Sequence, residues 1–316
     1  MKKLKVTLIG YGYWGKKLAR NFQNSENFVL TSISDSKRKN LIAAKKNYPL
    51  AKLYKDFKKS VKFQSSDLVV ISTPTVTHFK ICKFALQNSK NVLVEKPISL
   101  SSKKIKVLNH LADKNKKMIF VDYPFIFSGT INFIKKIIDK NKYGKVLEVE
   151  SYREQAPVRK DVNVIWDLAT HDISILTYLF KRLPYSIKTV KSKNIKGSQC
   201  DTAYINLKYK KNINVLIKNS WISPTKIRLI KFKFQKAIIY CDENEGIYKI
   251  KIYKKNSVKD HSKYNLYIPE IDLNEPLSKL ANYIYKSIKN NENHLFRNNF
   301  NEKVTRILEK INKNND

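Results

Sequence analysis

The chain of 316 residues is poor in the residues that crosslink and punctuate, with three cysteines and seven glycines. Cys82, Cys200 and Cys241 cannot all pair and have no metal-ligand spacing, which excludes a disulfide framework and points to a reducing, cytoplasmic compartment. Long apolar runs are missing too. None approaches the ~18–20 residues of a membrane span, and the stretch after Met1-Lys2-Lys3 is too short for a signal peptide, so no membrane role is expected. Acidic residues are scarce, 26 against 63 Lys plus Arg, for a formal charge of +37. Only eight of the 63 are arginines, and the lysines are spread along the chain without a compact block. Phosphate and base recognition favour the Arg fork, so the charge reads as a solvated basic surface and no nucleic-acid partner is expected. The 15 Phe, 18 Tyr and 3 Trp, within a hydrophobic share of 42%, exclude a disordered chain.

What is present is a two-part organisation. Up to about Val121, short apolar runs (Leu4–Ile9, Phe28–Ser34, 67–72, 91–94 and 117–121) alternate with helical patterns such as Trp14/Leu18/Phe22 and Ile105/Leu108/Leu111. Strands apolar on both faces and separated by helices predict a doubly wound parallel α/β sheet over residues 1–121. Residues 122–316 predict an α+β domain. A helix at 128–140, a strand at 145–153 and a helix at 166–180 precede strands of period-two alternation at 203–209, 213–221, 228–234, 237–241 and 247–253. That is a largely antiparallel sheet with one covered face and one open face. Two amphipathic helices close the chain, the last a candidate to pack back on the first domain.

Three of the seven glycines fall within six residues, in Gly10-Tyr11-Gly12-Tyr13-Trp14-Gly15, directly after the first strand and opening the first helix. This is the arrangement that seats a dinucleotide pyrophosphate on a helix N-terminus. Asp35 closes the second strand 20 residues after Gly15, where a carboxylate binds the ribose hydroxyls of NAD. Ser36 and Arg38 follow it and could instead hold the 2′-phosphate of NADP, so NAD is expected and NADP left open. Two further loops end strands on the same rim. The loop of Ser72, Thr73, Pro74 and Thr75, running on to His78, carries hydroxyls that suit a ribose or nicotinamide, and Glu95-Lys96-Pro97, with Glu95 and Lys96 expected at the cofactor, holds an aimed ammonium. Further on, Asp167 and His171 stand four apart, the spacing of a carboxylate that orients an imidazole general base or, equally, of a structural helix start. Ser174 and Tyr178 would continue that polar stripe, opposite Ala169, Ile173, Leu176 and Phe180. Arg153 and Arg159 suit a substrate carboxylate or phosphate, or plain surface charge. His110, His261 and His294 read as surface residues without partners. No metal site is expected.

The glycine loop with Trp14, the Thr73–His78 loop, Glu95-Lys96-Pro97, Tyr143-Gly144-Lys145-Val146-Leu147 and Trp166–Ile173 occur in an order that resembles the glucose–fructose oxidoreductase and inositol dehydrogenase (Gfo/Idh/MocA) family. The resemblance covers most of the chain. It implies an N-terminal Rossmann domain and a C-terminal α+β domain whose open sheet face forms a homodimer or homotetramer. It implies a cis bond before Pro97. It also implies an NAD(P)-dependent oxidoreductase acting on a hydroxyl or ketone of a sugar, cyclitol or nucleotide-linked sugar, with Lys96, Asp167 and His171 as catalytic residues. In that scheme His171 accepts the hydroxyl proton, Asp167 sets its tautomer, and Lys96 stabilises the alkoxide and contacts substrate and cofactor. Tyr123, Arg153 and Arg159 would join Lys96, Asp167 and His171 around the substrate. Two positions depart from the family pattern: Ala169, where Gly is frequent, and Tyr123, where His or Phe is common. Relatives that oxidise transiently with bound NAD to cleave glycosides, and relatives that only regulate, are the alternatives.

Overall fold

The computed structural model describes residues 3–63, 65–255, 263–296 and 299–314. The chain divides into two compact units, Met1–Pro124 with Glu275–Thr305, and Phe125–Asn274 with Arg306–Asp316.

The first unit is built on six parallel strands, β1 (Leu4–Ile9), β2 (Phe28–Ser34), β3 (Lys52–Tyr54), β4 (Leu68–Ile71), β5 (Asn91–Glu95) and β6 (Ile119–Asp122), in the order β3-β2-β1-β4-β5-β6. Their crossovers carry α1 (Tyr13–Asn24), α2 (Arg38–Asn47), α3 (Phe57–Phe63), α4 (Thr75–Gln87) and α5 (Ser102–Lys114). The both-faced burial expected of such strands holds. Every residue of β4 is buried, and the two buried polar side chains of the β1/β2 register pair, Thr7 and Ser32, satisfy each other at 2.8 Å. The first unit's segment 275–305 holds α8 (Pro276–Asn290) and the start of α9 (Phe300–Lys313). The apolar stripe Leu277/Leu280/Ala281/Ile284 of α8 is buried, with Tyr283 and Tyr285 edge-on to Phe120 and Phe28.

The second unit is an eight-stranded sheet with helices α6 (Gly129–Asp139) and α7 (Thr170–Phe180). Its strands are β7 (Val146–Glu154), β8 (Ser186–Ser192), β9 (Thr202–Tyr209), β10 (Ile213–Ser220), β11 (Ile227–Phe234), β12 (Ala237–Asp242), β13 (Ile250–Lys255) and β14 (Tyr264–Tyr267). The order β14-β13-β12-β11-β7-β10-β9-β8 is antiparallel throughout except where β7 meets β10 in parallel. One face is covered as expected: Ala203, Ile205, Leu207, Val215 and Ile217 are buried, while Tyr204, Leu216 and Val190 are about half exposed. The helix expected over 166–180 is two pieces. A π-helical turn at Ile165–Ala169 leads into α7, and Thr170 Oγ1 donates to Trp166 O at 2.6 Å across the junction.

Candidate active site

Steric demands explain the glycine loop. Gly10 has φ +94°, and a Cβ there would lie 2.3 Å from the Ser72 carbonyl oxygen; at Gly15 it would lie 2.1 Å from the Gly10 oxygen. Gly12 differs. Among the described residues nothing lies within 4 Å of where its Cβ would sit, and as N-cap of α1 it makes no side-chain cap. The helix thus opens with free N–H groups beneath open space, a cradle that fits a dinucleotide pyrophosphate. Asp35, at the end of β2, accepts from Tyr11 N (2.7 Å), Lys37 N (2.8 Å) and Asn40 Nδ2 (2.9 Å), so its carboxylate is pinned to the glycine loop. Ser36 and Arg38 are exposed beside it, and Tyr13 is exposed, sharing the Lys17 ammonium with Trp14 at 4.5 Å from each ring.

On the rim formed by β4 and β5, Thr73 and Thr77 share a hydroxyl bond of 2.6 Å, Pro74 is exposed and Thr75 is buried at the start of α4. His78 is buried, with Nδ1 2.9 Å from Pro97 O and Nε2 2.7 Å from Thr73 O, so its ring ties the two rim loops together. Lys96 is half-buried at the end of β5, and its bond to Pro97 is cis. The Glu95 carboxyl group turns inward onto Asp122, its register partner on β6. Burial pushes the Glu95 carboxyl well above its ordinary range, reinforced by the charge of Asp122 and the bond between them; burial raises Asp122 too. Trp14 Nε1 donates to Asp122 Oδ2 at 2.8 Å. Tyr123, expected near substrate, is 1% exposed, its ring packed on Phe296 and Phe300 and its phenol pushed up by burial.

In the second unit the π-helical turn carries Asp167, whose Oδ2 accepts from Trp221 Nε1 (3.0 Å) and whose Oδ1 accepts from Arg159 Nη1 (3.4 Å). Arg159 also forks onto Asp161 at 2.9 and 2.7 Å. Burial alone would lower its pKa, but Asp161 and Asp167 more than offset that and raise it. His171 follows in the first turn of α7, half-buried, its ring edge-on to Phe125 at 4.9 Å. The polar stripe predicted along this helix is structural: Ser174 Oγ donates to the His171 carbonyl, and Tyr178 Oη donates to Asn132 on α6. Arg153 corrects the surface-charge alternative, since it is 1% exposed. Its Nε bonds Asp172 Oδ1 at 2.7 Å, and its guanidinium lies 4.1 Å from the centre of the Phe125 ring. Ser151 and Asn219 donate to the same Asp172 carboxylate. Asp172, Trp221, Phe125 and Asp122 were missed because their partners are distant in sequence. Trp221 alone left a trace, as an aromatic ending an alternating run.

His110 is exposed, and His294, also exposed, bonds Glu292 at 2.8 Å and so has a partner after all; His261 lies outside the described residues. No group of three metal-ligating side chains occurs among the described residues, and no helix there is long and apolar enough to cross a membrane.

A glycine-rich turn on a parallel sheet, ended by an acid at β2 and joined to a mixed sheet, defines a dinucleotide-dependent oxidoreductase of two domains. The chain belongs to the Gfo/Idh/MocA family: residues 4–123 match its NAD-binding Rossmann fold and residues 131–244 its C-terminal domain. It is 24% identical over 229 residues to a myo-inositol 2-dehydrogenase of Thermotoga maritima, covering 69% of this chain and 68% of that one. It is 20% identical over 236 residues to a glucose-6-phosphate 3-dehydrogenase of Bacillus subtilis, covering 67% of each. Other relatives are matched over about half their length, 47% for a dehydrogenase of Comamonas testosteroni. Among solved structures, a UDP-N-acetylglucosamine 3-dehydrogenase of Acidithiobacillus ferrooxidans has the same fold, with TM-score 0.85 over 98% of this chain and 97% of that one at 16% identity.

Proposed function

We propose that this protein is an NAD(P)-dependent dehydrogenase acting on a secondary hydroxyl, or the corresponding ketone, of a sugar, cyclitol or nucleotide-linked sugar. The observation that carries the reading is the open cradle at Gly12, with Asp35 pinned at its side and Lys96 ending a strand two places along the sheet. The printed activities of the relatives, on inositol, glucose 6-phosphate and a UDP-sugar, support the substrate class. Bound nicotinamide dinucleotide supplies the hydride acceptor, and Asp35 favours NAD over NADP. The chain's own residues handle the proton and the charge. His171 takes the hydroxyl proton, and Lys96 stabilises the alkoxide that develops. Asp167, held from two sides by Trp221 and Arg159, keeps a carboxylate one helical turn from that imidazole. The cytoplasm is the proposed compartment, and the open face bearing Tyr204 and Leu216 the proposed surface for a homodimer or homotetramer.

Titration with NADH and NADPH, followed by energy transfer from tryptophan to the bound nicotinamide, tests the reading. Binding of one of them followed by turnover within a panel of sugars and cyclitols is the expected result. A nucleotide-free protein that binds neither refutes it.

A further inference from the structure

The Asp35 carboxylate, proposed to read the adenosine ribose, has most of its acceptor sites already taken by the protein. A carboxylate offers about four lone-pair sites, divided equally between its oxygens. Oδ2 takes two donors, Tyr11 N at 2.7 Å and Asn40 Nδ2 at 2.9 Å, and Oδ1 takes Lys37 N at 2.8 Å. Among the described residues that leaves one site, on Oδ1, whereas binding both hydroxyls of a ribose needs two. The three donors are not equally committed. Tyr11 N is backbone between Gly10 and Gly12, so moving it deforms the loop whose cradle fits the pyrophosphate. Lys37 N lies two residues past Asp35 in a local Asx turn that leads into α2. Asn40 differs. It stands half-buried in the first turn of α2, its backbone N–H donated to Lys37 O, and its amide reaches Asp35 on a rotatable side chain. Nδ2 is therefore the donor that a ribose hydroxyl can displace by rotation alone, at the cost of one hydrogen bond to a charged acceptor. For a 2′-phosphate the balance reverses, because an amide donor attracts a phosphate oxygen and a bare carboxylate repels it.

We propose that Asn40 is a specificity-determining residue for the cofactor. By holding an acceptor site of Asp35 that a second ribose hydroxyl needs, its amide weakens binding of the NAD ribose and narrows the discrimination against NADP. This inference rests on the reading of the protein as an NAD(P)-dependent dehydrogenase with Asp35 as the ribose acceptor.

The sign of the effect separates this role from a structural one. An Asn40 that only braces Asp35 would, on losing its amide, loosen the carboxylate and weaken NADH. An Asn40 that competes with the ribose would, on losing it, strengthen NADH. Isothermal titration of Asn40→Ala with NADH and with NADPH, in the absence of sugar, reads the sign without any turnover. NADH is expected to bind about three- to tenfold tighter than in wild type and NADPH no tighter, so the preference for NADH widens by about threefold or more. Asn40→Leu, which fills the place of the amide without a donor, gives the same reading if the alanine variant does not fold. A gain in NADH affinity below about twofold, a loss, or a gain matched by NADPH overturns the proposal. These results are distinct from a failure of the dehydrogenase reading. A nucleotide-free wild-type protein that binds neither cofactor refutes that reading and this inference together, whereas a wild type that binds NADH with an affinity the variants leave unchanged refutes the inference alone.

Discussion

Replacing Arg153 by methionine separates two roles for this residue that are indistinguishable in sequence. In the structure Arg153 and Asp172 are each 1% exposed and paired at 2.7 Å. Removing the guanidinium leaves a buried carboxylate with hydrogen bonds from Ser151 and Asn219 but without its ion-pair partner. Breaking a buried pair from one side costs about 3–5 kcal/mol. For a unit of this size each kcal/mol moves the melting temperature by about 2–4 °C, so the second unit should melt about 6–20 °C lower. Part of the loss is the cation lying 4.1 Å over Phe125, worth about 0.5–2 kcal/mol. The double variant Arg153→Met/Asp172→Leu removes both charges and should recover most of the stability, since an apolar pair of similar volume replaces a buried ion pair at little net cost. Thermal unfolding followed by circular dichroism measures both. A substrate arm behaves in the opposite way, raising KM with the melting temperature unmoved. An Arg153→Met protein that melts within about 2 °C of wild type would refute the buried-pair argument.

Three other outcomes follow from the same geometry. Gly12→Ala places a methyl group in open space, so the melting temperature should hold while NADH affinity falls about tenfold or more, equivalent to about 1.4 kcal/mol; equal affinity in isothermal titration would remove the cradle from the cofactor site. Asp35→Ala removes the acceptor for Tyr11 N and Asn40 and should lower NADH affinity about tenfold while narrowing or reversing the preference over NADPH, since Arg38 is exposed alongside; a preference identical to wild type would show that Asp35 does not read the ribose. Asp201 is buried, which would raise its pKa, but donors from Ile195 N, Asn194 N and the Asn194 amide outweigh that and hold it below the ordinary value. A depressed folded pKa contributes stability that is fully present above the unfolded value, about pH 4, and is lost as pH falls through the folded one. Asp201→Asn should therefore flatten the melting-temperature profile below about pH 4, and an unchanged acid limb would count against it.

Burial explains what was legible in the sequence and what was not. Strands buried on both faces, such as β1 and β4, admit only apolar side chains along most of their length, and β9 and β10 alternate because only one face is covered. The elements that escaped, β3, β8 and β14, are sheet edges with few buried positions, and α2 buries only Ala44, so no stripe marks it. In the site, the glycine loop was readable because its constraints are local and steric. The burial of His78, Tyr123 and Arg153 was not legible because a polar side chain carries no mark of its own burial. Their partners (Pro97 O, Phe296, Asp172) are brought close by sheet and helix packing, not by spacing. Glu95 and Asp122 meet only through the register of β5 and β6, and the π-helical turn at Ile165–Ala169 replaces the first turn of the regular helix that four-residue spacing presupposes.

The strand β7 stands at the centre of the mixed sheet, yet it is the first of the eight to be synthesised. Its neighbours are β10, which pairs Val215 with Val149, and β11, which pairs Phe232 with Val149 from the other side. β8, β9 and β10 form one hairpin ladder and β11 to β14 another, each able to zip from its own turns. β7 has no such local partner. On a ribosome it waits on the order of ten seconds with both edges unpaired before β10 emerges. Its sequence meets that exposure with Glu148, Glu150 and Glu154, three of the chain's few acidic residues on one nine-residue strand. They are set opposite the lysines that later claim them, Lys233, Lys231 and Lys218. In a chain with 55 lysines, a strand of like negative charge repels copies of itself while waiting and attracts the basic strands that complete the sheet.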